Sequence, residues 1–406
     1  METKYLMERL ATKYESFYLY DEQSIITQIN TLKKKFPSVD FLYSVKCNSN
    51  ENILSSIFKN NFGAGVSSLA EIQAVKKYGL HPEKIFYSAP GKSMKDLQAS
   101  YQQAVIIADS ISEIERIKYL AKVLNEQIRI GIKINPNFTY ENDGGVPSKF
   151  GIDEDDAVRY LATLDELYVK VVGMQANIKS QELDCSKINR YYKKVFQLAE
   201  KIELTIGHKL DFLNLGSGIG IPCSPDDRDV NVSWLGTEVE ERITNFKITR
   251  PKIKIMIMLG RFIVGKSGTY ITHVIDKKTS HGKTYVILQN IVNGFFKPVF
   301  SEWMKKSEPQ NRIDMEPFFT KVNSFKIHPL KPQNENETVT LVGNSCMPND
   351  VIAEDIDMPK LRIGDVITIS NAGSYSSVLT PMQFSSMGKV QEIFFTVDGE
   401  VRENPS

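Results

Sequence analysis

Residues 41–48 read Phe-Leu-Tyr-Ser-Val-Lys-Cys-Asn, an apolar and aromatic run that closes on a lysine. Short β-rich runs of this kind read as strands, and segments of helical period separate this one from its successors. Working outward from 41–46, further candidate strands fall at 62–66, 84–88, 104–109, 128–135, 168–176, 212–215 and 252–258. Eight strands alternating with helices is the number that closes a (β/α)₈ TIM barrel. A doubly wound open sheet alternates in a similar way, and the strand count favours the barrel.

Beyond Gly268 the texture changes. Residues 269–277 and 283–291 read as strands joined by the turn Thr279-Ser280-His281-Gly282, and 338–342, 365–370 and 391–397 add further β-branched or alternating runs. The expected architecture is α/β plus β. A barrel over 22–268 carries a C-terminal, mostly β domain of sandwich or barrel-like form, built from 269–406 together with 1–21. Residues 332–337, Pro-Gln-Asn-Glu-Asn-Glu, read as an exposed loop.

The 406 residues carry 50 Lys and Arg against 49 Asp and Glu, so charge favours neither nucleic acid, nor a membrane surface, nor a polyanionic substrate. A small neutral or zwitterionic molecule is the expected partner. No apolar stretch is long enough to cross a bilayer, and a cytoplasmic location is expected. Cys47, Cys185, Cys223 and Cys346 lack C-x-x-C spacing, and the five histidines form no ligand set; neither a disulfide framework nor a metal site is expected.

In a parallel barrel the chemistry lies just after the C-terminal ends of the strands. Lys46 ends the first candidate strand, where a stem packed by Leu42, Tyr43 and Val45 would hold a desolvated amine at the mouth, fit to condense with an aldehyde. Read alone, it is better taken as a surface lysine that follows a strand. After the seventh strand comes Gly216-Ser217-Gly218-Ile219-Gly220, whose glycines let backbone N–H groups approach an oxyanion, and after the eighth comes Gly260-Arg261. Glycines serve tight turns anyway, but barrels commonly seat phosphate on these two loops. A phosphate seat across the mouth from a lysine is the arrangement pyridoxal 5'-phosphate (PLP) requires.

Several segments resemble the fold-type III PLP enzymes, the group of ornithine, arginine and diaminopimelate decarboxylases and alanine racemase. Tyr43-Ser44-Val45-Lys46-Cys47-Asn48 is similar to their Y-x-V-K-x-N segment, Ser68 and Glu71 lie in a stretch similar to A-S-x-x-E-I, and 213–220 resembles N-x-G-G-G-x-G. Gly260-Arg261-Phe262 resembles the end of E-P-G-R-Y, Cys346 with Asp350 resembles C-D-x-x-D, and Gly373-Ser374-Tyr375 resembles G-A-Y. The resemblance implies that Lys46 holds PLP, that Gly216, Ser217, Gly218, Gly220, Gly260, Arg261 and Tyr375 surround the phosphate, and that Ser68 and Glu71 lie beside the cofactor. It further implies a homodimer with shared sites. Cys346, reaching in from a neighbouring subunit, donates a proton after CO₂ leaves, and Asp350 contacts the distal amine of an amino-acid-type substrate. From the residues alone, Cys346 reads equally as a small apolar residue and Asp350 as a turn or cap residue after Pro348-Asn349. Gly343-Asn344-Ser345-Cys346-Met347-Pro348-Asn349-Asp350-Val351 and Gly260-Arg261-Phe262-Ile263-Val264 are most similar to siderophore-biosynthesis decarboxylases of the citryl-diaminopropionate type.

The chain departs from this pattern at the cofactor's ring. Met258 stands where the family has a glutamate pairing with the pyridine nitrogen, Asn177 where it has a histidine stacked on the ring, and Gly65 where it has an acid. Loss of a charge-assisted hydrogen bond of about 1.5–3 kcal/mol implies a slowing of at least roughly tenfold to a hundredfold. Three accounts follow: a working decarboxylase of a diamino acid or its carboxylate conjugate, a PLP enzyme of altered reaction type, or a weak homologue that regulates a related decarboxylase.

Overall fold

The computed structural model describes residues 2–223, 227–307 and 325–403. Eight parallel strands run in chain order: β1 (Val39–Ser44), β2 (Gly63–Val66), β3 (Ile85–Ser88), β4 (Val105–Ala108), β5 (Ile128–Asn135), β6 (Val169–Ala176), β7 (Phe212–Asn214) and β8 (Lys254–Leu259). They are buried almost throughout because helices cover the outer face while side chains fill the inside, which is why they read as continuous apolar runs. Each strand pairs with the next, and β8 returns to β1 with Met258 opposite Leu42 and Leu259 opposite Tyr43. The barrel is therefore closed, as expected.

Three details differ from the sequence reading. First, β1 ends at Ser44, and Lys46 lies on the single 3₁₀ turn Val45–Cys47 that follows. Val45 is buried in that turn, so apolarity continues after strand pairing stops. Secondly, Lys46 is exposed at the mouth, not sheathed by the core. Thirdly, closure places the loop after β8 directly beside Lys46, so the glycine and arginine loops share its side of the mouth instead of facing it from across.

Gly268–Ser280 leaves the barrel as a long strand and returns through a two-residue hairpin to Lys283–Leu288, with Ser280 opposite Lys283. His281 and Gly282 both have positive φ, the conformation that lets a two-residue turn follow strand twist. The N-terminal strand Phe17–Asp21 inserts between Gly268–Ser280 and Gln391–Phe395, antiparallel to the first and parallel to the second. On the far side Lys283–Leu288 pairs with Asn336–Gly343, which pairs with Val351–Pro359. Residues 332–335 are a largely exposed loop. The strands Phe17–Asp21 and Val351–Pro359, and the helix Phe296–Ser307, have no counterpart in the sequence reading.

Barrel and sheet share one apolar core in which Tyr18, Tyr20, Tyr270 and Phe295 are fully buried. Backbone contacts join them at the site itself. Tyr375 N–H donates to the Cys47 carbonyl at 2.8 Å, and the Asn48 side chain donates to the Gly373 carbonyl at 3.0 Å. Among the described residues no helix is long and apolar enough to cross a membrane.

Candidate active site

The loop after β7 is shaped by glycine. Gly216 and Gly218 have φ of +76° and +119°, and a Cβ on either would overlap the Ala176 carbonyl or the Tyr140 hydroxyl. The loop is pinned from outside: Gly216 N–H donates to Asn214 Oδ1, Tyr192 Oη donates to the Ser217 carbonyl, and Gly220 N–H donates to the Glu182 carbonyl. The N–H groups of Ser217 and Gly218 donate to no group among the described residues, which leaves two adjacent donors for an anion.

Next to this loop, Gly260 lets the chain pass Cys47, whose Cβ would stand 2.7 Å from a side chain there. Arg261 follows, 5% exposed, with its guanidinium 5.1 Å from the Tyr375 ring centroid. Tyr375 holds φ of +51°, which is costly for a residue with a Cβ and is maintained by its bond to Cys47. Burial pushes the Cys47 thiol up to about 12, against the pull of Arg261, Lys297 and Lys46, so this cysteine is an inert wall.

Lys46 lies near enough to Glu71 for its charge to act on that carboxyl. Ser68 caps the helix Leu69–Lys76 by accepting from Glu71 N–H, and the Glu71 carboxylate accepts from Ser67 N–H at 2.6 Å. Burial raises the Glu71 pKa while the Ser67 amide and the charge of Lys46 oppose the rise. Ser68 and Glu71 are thus engaged in a helix cap at the mouth, which fixes the carboxylate near the Lys46 amine. Further in, Lys133 on β5 pairs with Asp109 at 3.7 Å, beneath the Phe150 ring. Burial, with help from Lys46 and Lys92, brings its amine down to about 8.

Two of the three departures, Gly65 and Met258, meet in space. A Cβ on Gly65 would lie 2.6 Å from both Sδ and Cε of Met258, so absence of a side chain at 65 is what admits the methionine. Asn177, after β6, keeps a buried Oδ1 with no hydrogen-bond partner. A polar atom left this way points to a ligand that completes it.

Two C-terminal residues stand apart. Cys346 is exposed, its Sγ 3.6 Å from Ser385 Oγ. Asp350, expected at the substrate's amine, is 2% exposed, and its carboxylate accepts from the N–H groups of Val292 and Ser345. These bonds make Asp350 a cap that fixes the loop carrying Cys346.

The described site fits PLP: an amine at the rim, a cradle that any Cβ would fill, a buried cation, and an unmet polar atom after β6. The profile of the family described as "Pyridoxal-dependent decarboxylase, pyridoxal binding domain" matches residues 22–265. The chain belongs to this family, and PLP is its cofactor. It is 28% identical to an L-glutamyl-(BtrI acyl-carrier protein) decarboxylase of Niallia circulans over 92% of this chain and 87% of that one. It is likewise 28% identical to a diaminopimelate decarboxylase of Helicobacter pylori strain J99, covering 95% and 92%. Among solved structures, diaminopimelate decarboxylase from Helicobacter pylori complexed with L-lysine matches with a TM-score of 0.82 and 27% identity over 98% and 95% of the chains. The chain is thus a carboxy-lyase of fold type III.

Sequence reasoning missed Lys133, Lys297 and the Gly65–Met258 contact. The signal for Lys297 was present: one lysine set among Phe295, Phe296, Val299 and Phe300.

Proposed function

We propose a homodimeric, cytoplasmic PLP-dependent decarboxylase of a diamino acid or its carboxylate conjugate, serving siderophore or polyamine-type biosynthesis. The observation that carries this reading is the meeting of Lys46, the Gly216–Gly220 loop, Arg261 and Tyr375 at one side of the mouth. When bound, PLP supplies the sink for the electron pair released as CO₂ leaves. Lys46 Nζ holds the cofactor. The N–H groups of Ser217 and Gly218, with Arg261, hold the phosphate. Tyr375 closes over Arg261 and keeps water from it. Exposed Cys346 is the proton donor to the carbon that loses CO₂, acting in the neighbouring subunit's site, and Asp350 holds its loop in place.

A second reading is supported by Met258: a thioether is no acceptor for a protonated pyridine, so a PLP enzyme of altered reaction type, or a regulatory partner of a related decarboxylase, also accounts for the site. The tests separate these. Purified protein is expected to be yellow, and borohydride to fix the cofactor on Lys46; protein that stays colourless with added PLP rejects every PLP-using account. Diamino acids and their citryl conjugates are then followed by mass spectrometry for loss of CO₂. Loss that falls in Cys346→Ala supports the decarboxylase, whereas no loss together with binding to a sister decarboxylase supports the regulator.

A further inference from the structure

Gln181 lies in the loop after β6, half-buried, with a φ of +65°. A residue with a Cβ holds that conformation only where its surroundings impose it, and such positions gather at functional sites. Here the constraint comes from the loop after β7. Gln181 Oε1 accepts from Ile221 N–H at 3.1 Å, while Nε2 donates to the Ile221 carbonyl and, at 3.6 Å, to Cys223 Sγ. The side-chain amide thus meets both polar groups of one backbone residue, as a neighbouring strand would. The main chain beside it continues the pairing: Glu182 N–H donates to the Gly218 carbonyl at 2.8 Å, and Gly220 N–H to the Glu182 carbonyl at 2.9 Å.

Gly220 N–H is therefore engaged by this strap, and the glycine at 220 has its own cause. A Cβ there would lie 2.9 Å from the Gln181 carbonyl carbon and 3.0 Å from its Cα, so the missing side chain is what admits the Gln181 backbone. The strap bonds fall on the Gly218 carbonyl and on residues 220 and 221; none takes the N–H of Ser217 or Gly218. We propose that Gln181 is a positioning residue for the phosphate seat: without touching the cofactor, its amide stitches the glycine loop to the loop after β6 and holds the two donating amides in place. This rests on the PLP reading above. Two amides bind one anion well only if they are set before it arrives, because ordering them on binding weakens affinity. A primary amide suits the task. It offers a donor and an acceptor in one plane, as a peptide unit does, whereas a carboxylate of the same length offers acceptors alone.

The test is titration of the cofactor-free protein with PLP and with pyridoxal, which has the same aldehyde and no phosphate, followed by absorbance. The phosphorus NMR signal of bound PLP is the second readout. Gln181→Ala is expected to weaken PLP roughly tenfold, leave pyridoxal within about twofold, and broaden the phosphorus signal. Gln181→Glu keeps the length and loses the donor, and is expected to behave in the same way. A residue that only supports the fold would weaken both ligands alike, so equal weakening by Gln181→Ala overturns the proposal, as does weakening of neither. Should Gln181→Ala fail to fold, the glutamate variant decides alone: a preference for PLP over pyridoxal as large as in wild type overturns it. Wild type that binds neither ligand rejects the PLP reading and this inference with it, and wild type that binds both equally rejects the phosphate seat. Wild type that prefers PLP, with that preference kept in full by Gln181→Ala, rejects this inference only.

Discussion

At Gly65 and Met258 a pair of residues explains what neither explains alone. The methionine occupies the volume that a side chain at 65 would need, so a replacement at one position is constrained by the other. Gly65→Ala is expected to cost about 1–3 kcal/mol of stability in urea unfolding through overpacking, and much less in a Met258→Ala background. Strictly additive costs would show that the two do not touch. Met258→Glu is expected to raise CO₂ release, since the open space over Gly65 can admit a carboxylate; a fall would show chemistry adapted to the thioether. The cysteines give a separate check. Exposed Cys346 is expected to be alkylated first by iodoacetamide at pH 8, while Cys47, buried and pushed up to about 12, stays unmodified in the folded protein.

At the scale of elements, the loop after β7 is where backbone freedom and ligand binding coincide. Gly218→Ala adds a Cβ at a φ of +119° and against Tyr140, so the loop must shift. PLP affinity, followed by absorbance, is expected to fall more than tenfold. Unchanged affinity would mean that the amides of this loop do not hold the phosphate. The loop was legible in sequence because its three glycines fall after the seventh strand while Gly260-Arg261 falls after the eighth, a joint placement that tight turns alone do not require. The end of β1 was less legible: Val45 stays buried one turn past the last strand pairing, so hydrophobicity runs on where hydrogen bonding stops. The surroundings of Asp350 were hidden for a different reason. A motif gives an acid's position but not whether backbone amides already claim its oxygens, and here Val292, 58 residues earlier, supplies one of them.

Across the whole molecule, the closed barrel was readable because parallel strands covered on both faces must be apolar throughout. What depends on chain segments far apart was not: Gln181 acquires meaning only when Ile221 lies against it, and Lys133 only when Asp109, Phe150 and Lys46 surround it. Lys133 makes the cost of such burial measurable. Burial holds its amine down at about 8 in the folded chain against an ordinary 10.5, so between these the unfolded chain binds more protons than the folded one. The penalty for burying this group is therefore full below about 8 and is relieved as pH climbs from there toward 10.5. A shift of this size corresponds to on the order of 3 kcal/mol. Buried tyrosines act in the opposite sense, since burial raises the pKa of Tyr18, Tyr20 and Tyr43 well above 10 and their effect begins only at higher pH. The clean comparison is thus between wild type and Lys133→Met from pH 7.5 to 9.5. Wild-type unfolding free energy should gain on the variant's steadily across that range; parallel curves would mean that Lys133 is solvated and that the barrel interior holds more water than its side chains imply.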